Sequence, residues 1–155
     1  MSRAFVREDD RGEAFEDLPD RPISPHQNLV TPAGLAQIDA MVADLQHRLA
    51  QAQEAEDKGE IARVARDLRY WSHRKSTAEL VPEPTDFSHV RFGSRVTFVR
   101  DDGRTQTYRI VGEDEADPAK GSISYVSPLA QALLGKQVGD AVSVAHTEAE
   151  IVRIE

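Results

Sequence analysis

The chain has 155 residues, 39% apolar and 30% charged, with a net charge of −8 and no cysteine. That length suits one compact domain or two small ones, and the lack of cysteine excludes a disulfide framework and a thiolate metal site. Such an acidic chain is not expected to bind nucleic acid, DNA included, by its own phosphate neutralisation, and no apolar run approaches the ~20 residues of a membrane span.

Residues 1 to 30 mix Asp, Glu, Arg and Pro without a sustained apolar period. They predict an acidic, flexible leader, because too little apolar surface is available to offset ordering entropy. A segment that docks on a partner through Phe5, Val6, Phe15 and Leu18 is the alternative. Met1-Ser2-Arg3-Ala4-Phe5 lacks the apolar core of a secretory signal, and with zero cysteines this fits a reducing cytoplasm.

Regular structure is expected from Thr31-Pro32, a capping residue followed by a proline suited to the first helical position. Leu35, Ile38, Val42, Leu45, Leu49 and Ala52 then recur at spacings of three and four. Ile61, Val64, Leu68, Trp71 and Ala78 form a second series, with Lys75 in a seam position. Two such seams with so short a link predict an antiparallel coiled-coil hairpin over 31–81. Gly59 is the expected turn residue, and Pro82 and Pro84 the stop and stiff linker.

From 85 to 155 the pattern is that of strands. "RVTFVR" alternates, "DDG" turns the chain, and "RTQTYRIVG" returns; an Asp-Gly pair is a strong hairpin signal. "SISYVS" predicts another strand, Ser127-Pro128 opens a short helix "PLAQALLG", and "DAVSVAH" with "EAEIVRIE" makes a last hairpin. The expected architecture is α+β: a helical hairpin, then a small antiparallel sheet with one helix. Its predicted core is Phe92, Val96, Phe98, Tyr108, Ile110, Ile123, Leu129, Leu133, Val142, Val144, Val152 and Ile154.

Few residues suggest chemistry. His26, His47, His73, His89 and His146 are scattered, with no i, i+4 pair of the kind a helix offers a metal. Gly135-Lys136 lacks the upstream glycine of a phosphate loop, and Gln137 replaces its hydroxyl residue. Asp57 and Glu60, flanked by Glu54 and Glu56, stand at the far end of the hairpin. Two carboxylates on a projecting tip are able to share a Mg²⁺ ion; an ordinary solvated turn is the simpler account of them. Arg63, Arg66, Arg69, Arg74 and Lys75 make the second helix basic, although its tip is acidic; a solvated charged face with i, i+4 pairs accounts for this.

"VRFGSRVTFVRDDGRTQTYRIVGEDEAD" and "ISYVSPLAQALLGKQVGDAV" closely resemble the C-terminal domain of the bacterial GreA/GreB transcript cleavage factors. Phe92-Gly93, Tyr108 to Gly112, Asp114-Glu115, Ser127-Pro128, Ala130, Leu133, Gly135-Lys136 and Gly139-Asp140 carry the match. Val30-Thr31-Pro32-x-Gly34-Leu35 looks like the start of the family's coiled coil. The resemblance implies an FKBP-like domain that docks on RNA polymerase around Ser127, Pro128 and Leu129. It further implies a coiled coil entering the polymerase's secondary channel, where Arg63, Arg66 and Arg69 would meet RNA or the wall. In such factors an acidic tip helps hold Mg²⁺ for the polymerase's own nuclease. The factor is not itself an enzyme, binds no tight cofactor and meets nascent RNA only within the transcription complex; a monomer is expected.

Asp57 and Glu60 match the family's Asp-x-x-Glu spacing. Ile61-Ala62-Arg63-Val64 follows where typical members have Asn-Ala-Glu-Tyr, and Val126 stands where they commonly have Asp or Asn. The hairpin is shorter by roughly two turns per arm, about 10 Å of reach, similar to Rnk-type regulators. The expectation is therefore polymerase binding with weak or lost cleavage. A non-cleaving competitor of cleavage factors and a stand-alone peptidyl-prolyl isomerase are the alternatives.

Overall fold

A computed structural model describes residues 18–155. The leader residues before Leu18, with the proposed contacts of Phe5, Val6 and Phe15, lie outside the described residues. The chain divides into two compact units, one containing Gln37–Thr77 and the segment up to Pro25, the other His26–Ala36 with Ala78–Glu155.

In the first unit, helix α1 (Pro32–Glu54) runs on from the second unit, and helix α2 (Lys58–Thr77) returns beside it. Arg48 reaches Glu60 and Asp39 reaches Lys75, at 3.5 and 3.4 Å, so early residues of one helix meet late residues of the other. The hairpin is antiparallel. Ile38, Val42, Leu45 and Ala52 of α1 and Val64 of α2 are buried, as the three-and-four spacing predicts. Lys75 keeps its ammonium in water while pairing with Asp39. Arg74, which no apolar pattern singles out, is buried. Ala78 lies beyond the end of α2 and is no seam residue.

The second unit contains the short strands β1 (Leu29–Val30) and β2 (Glu79–Leu80), paired in parallel, and a five-stranded sheet. The sheet consists of β3 (Arg95–Arg100), β4 (Thr105–Val111), β5 (Ser122–Ser124), β6 (Ala141–Val144) and β7 (Thr147–Ile154), in the order β5-β4-β3-β7-β6. Helix α3 (Pro128–Leu133) follows β5. The predicted Asp-Gly turn joins β3 to β4. There Arg104 N–H donates to Asp102 at 3.0 Å, which holds that carboxyl below its ordinary value, and Gly103 takes φ 84°.

Two expectations need correction. The sheet is mixed, because β5 runs parallel to β4. A tight hairpin would have reversed the chain, whereas the longer link 112–121, with a 3₁₀ turn at Pro118–Lys120, carries it back to the starting end. Val152 is 43% exposed rather than in the core. Register along β3 and β7 shifts between Thr97 and Phe98, whose partners are Arg153 and Ile151. Val152 is thus the extra residue of a β-bulge, and the inward series becomes Ala149, Ile151, Ile154. Val96, Phe98, Ile110, Ile123, Leu133, Val142 and Val144 are buried as expected, with Tyr108 and Leu129 packed against them, whereas Phe92 is only half-buried and meets Tyr125 edge-to-face at the margin of the core.

The first turn of α1 is tied into this unit. Thr31 caps the helix, its hydroxyl accepting from Gly34 N–H at 3.0 Å and donating to the Glu115 carboxylate at 2.6 Å. A negative group at a helix N-terminus also complements the dipole. A Cβ at Gly34 would lie 2.4 Å from a Glu115 oxygen, and one at Gly112 only 2.3 Å from the Leu29 carbonyl. The two separated motifs, around Thr31-Pro32 and around Gly112 to Glu115, are therefore halves of one contact.

Candidate functional site

The hairpin tip occupies residues 55–57 and the first turn of α2. Glu56 adopts the left-handed conformation, φ 53°, and its N–H donates to Gln53 O while Asp57 N–H donates to Ala52 O, both at 3.1 Å. This pair of bonds is a Schellman ending for α1. Gly59, expected as the turn residue, is instead the second residue of α2. The helix end assigns the left-handed role to the residue whose amide closes it, and that residue is Glu56. Because a side chain in this conformation costs about 1 kcal/mol, Glu56→Gly is expected to raise stability by roughly 0.5–1 kcal/mol, read as a higher urea midpoint at unchanged slope.

Asp57 is the N-cap of α2, its Oδ1 accepting from Glu60 N–H at 3.1 Å. The Glu60 carboxylate lies 3.1 Å from Arg63 Nη2 and 3.5 Å from Arg48 Nη2. Asp-x-x-Glu ahead of an apolar run is also a capping pattern, a signal for this structural use within the sequence itself. Arg48, supplied from the other helix, carried no such signal.

Both tip carboxylates are engaged within the hairpin. One carboxylate is engaged as a cap and the other is held between two guanidiniums, whose charge opposes a divalent cation at the same oxygens. Freeing both would cost about 2 kcal/mol, one for the cap and up to one for exposed ion pairs, or roughly 30-fold in population. Among the described residues no cluster of three or more His, Asp or Glu suited to a metal occurs.

The basic side chains of α2 are unequally engaged. Arg63 pairs with Glu60. Arg69 Nε donates to Asp20 Oδ1 at 2.6 Å. Arg66 is partly buried, with its Nε lacking a hydrogen-bond acceptor. Asp20 belongs to a strap, residues 18–23, that lies along α2. Arg21 pairs with Asp67 at 3.4 Å and sits 4.0 Å from the centre of the Tyr70 ring, while Leu18 lines a cavity of about 240 Å³ with Ile61, Ala62 and Ala65. Leader residues rich in charge held no periodic signal for these contacts.

In the sheet unit, Ser127, Pro128 and Leu129 open α3. Ser127 Oγ accepts from Ala130 N–H at 3.2 Å, and Pro128 takes the first helical position. All three line a groove of about 490 Å³ with Arg100, Tyr108 and Ile123. Helix capping and groove lining are compatible, since the cap uses the hydroxyl and the groove the apolar atoms.

The class is thus an α+β protein in which a helical hairpin accompanies a small mixed-sheet module with a lined groove. Residues 84–155 match the family model described as Transcription elongation factor, GreA/GreB, C-term. By this C-terminal segment the chain is similar to the GreA/GreB family. It is 57% identical over 56 residues to the transcription elongation factor GreA of Desulfovibrio desulfuricans, covering 36% of this chain and 35% of that one. Over 106 residues it is 39% identical to GreB of Neisseria meningitidis serogroup B, covering 63% of this chain and 64% of that one. The matches therefore span between about a third and two thirds of those relatives' lengths. A solved structure of GreA factor homolog 1 from Thermus thermophilus is 22% identical, with 84% of this chain and 99% of that chain covered at a TM-score of 0.42.

Proposed function

We propose that this protein is an elongation factor that binds bacterial RNA polymerase and acts on backtracked or arrested complexes, with little or no stimulation of transcript cleavage. The sheet module, FKBP-like and without isomerase activity, docks through the groove around Ser127, Pro128 and Leu129. The hairpin, acting as a short coiled coil, enters the secondary channel. At ~1.5 Å per residue, the 20 residues of α2 give a reach of about 30 Å.

The observation that carries the second clause is the use of both tip acids within the hairpin, as the cap of α2 and as the partner of Arg48 and Arg63. A carboxylate that serves catalysis through a metal must be placed to within ~1 Å. Here each is directed elsewhere. The same observation favours a second reading, a channel-occupying regulator that competes with cleaving factors.

The test is a cleavage assay on backtracked complexes with purified polymerase. Little release of short 3′ fragments is expected, and Asp57→Ala and Glu60→Ala leave that rate unchanged. Asp57→Ala nevertheless lowers unfolding stability by about 1 kcal/mol through the lost cap. Rapid cleavage abolished by either substitution would falsify the non-cleaving clause. Dose-dependent inhibition of a cleaving factor, insensitive to both substitutions, separates the competitor from an elongation factor acting by itself.

A further inference from the structure

We infer that the strap, residues 18–23, is a displaceable guard over the Arg69–Tyr70 stretch of α2, and that polymerase must displace it before that stretch is available. This inference rests on the functional reading above and concerns the regulation of the same hairpin.

Three observations carry it. First, the strap engages part of that face, at Arg69 and Tyr70. Asp20 accepts from Arg69 Nε at 2.6 Å, and Arg21 lies over Tyr70, which in turn meets Trp71 edge-to-face at 5.2 Å. An acid at this distance cancels the charge that an RNA phosphate or an acidic channel wall would need.

Second, the fastening is weak by construction. The Asp20–Arg69 pair is 70% and 53% exposed at its two side chains, and Arg21–Asp67 is 37% and 36% exposed. Pairs so open to water contribute little and are screened by salt. Clefts of about 240 and 250 Å³, open to solvent, run where the strap meets α2, the first bordered by Leu18 and the second by Ile23, so water reaches the fastening.

Third, Pro19, Pro22 and Pro25 punctuate the segment. Proline restricts the detached chain to extended forms, so the strap loses little freedom on closing and closes again readily. A segment that is easily opened and easily closed has the properties of a guard rather than a brace.

The experiment uses the full chain with Asp20→Ala and Arg21→Ala together, which leaves α2 itself unaltered. Hydrogen exchange of 18–23 and of Tyr70 to His73 is expected to quicken. Affinity for purified RNA polymerase is expected to rise about five- to tenfold over the parent chain, with the gap narrowing as salt is raised. Unchanged exchange would show that these contacts do not hold the strap and would overturn the inference. Quickened exchange with unchanged or weaker polymerase affinity would also overturn it, the latter by making the strap part of the binding surface, while leaving polymerase binding intact. If neither protein bound polymerase, the functional reading would fail and the guard with it.

Discussion

Phe98→Ala is expected to lower the stability of the sheet unit by about 3–5 kcal/mol, the range for deleting a buried aromatic side chain. Phe98 is fully buried on the central strand β3, with Gln106 of β4 and Ile151 of β7 as its strand partners. Its ring stacks on Tyr108 at 6.2 Å between centroids, with Arg100 near its face at 5.9 Å. Both neighbours line the groove proposed for polymerase docking, so under that proposal loss of the ring weakens docking as well as folding. Urea unfolding followed by far-ultraviolet dichroism measures the first effect. A loss below about 1 kcal/mol would mean that the core closes over the vacancy, contrary to the close packing expected of such interiors.

Gly112→Ala is the second large effect, expected at about 2–3 kcal/mol from overpacking. The new Cβ would lie 2.3 Å from the Leu29 carbonyl oxygen, a backbone atom that cannot rotate away. Relief requires β1 to move off, which disrupts its pairing with β2 at Leu29–Glu79 and Val30–Leu80. Gly59→Ala should have the opposite sign. There the nearest atom would be Arg63 Nη1 at 3.5 Å, an ordinary contact, and alanine in a helix is favoured over glycine by roughly 0.5–1 kcal/mol. Thermal unfolding of the two variants side by side checks both; a neutral Gly112→Ala would show that β1 is not held against that position.

Much of the architecture was legible because it is local. Apolar residues at helical spacing located both arms of the hairpin, and Thr31-Pro32 and Ser127-Pro128 marked two helix starts whose caps the structure contains. Alternation together with Asp102-Gly103 delimited β3 and β4. The GreA/GreB resemblance lay in residues 92 to 140, inside the matched span. The tip was less legible. Asp57-x-x-Glu60 reads in sequence as a metal-sharing pair and as a capping pattern alike, and the hydrogen bond that separates the two is a fact of geometry.

The sequence by itself determined the two long helices, the short helix and the strands of the five-stranded sheet, together with the caps at Thr31 and Ser127, since each depends on residues within one or two turns of one another; the short pair β1 and β2 and the turn at Glu56 it did not mark. Only the tertiary structure decided that β5 lies parallel to β4, that a bulge turns Val152 outward, that Arg48 pairs with Glu60, and that Asp20 and Arg21 close over α2. These outcomes depend on contacts between residues distant along the chain. Their partners are selected by packing and charge once the elements have met, and no local period encodes them.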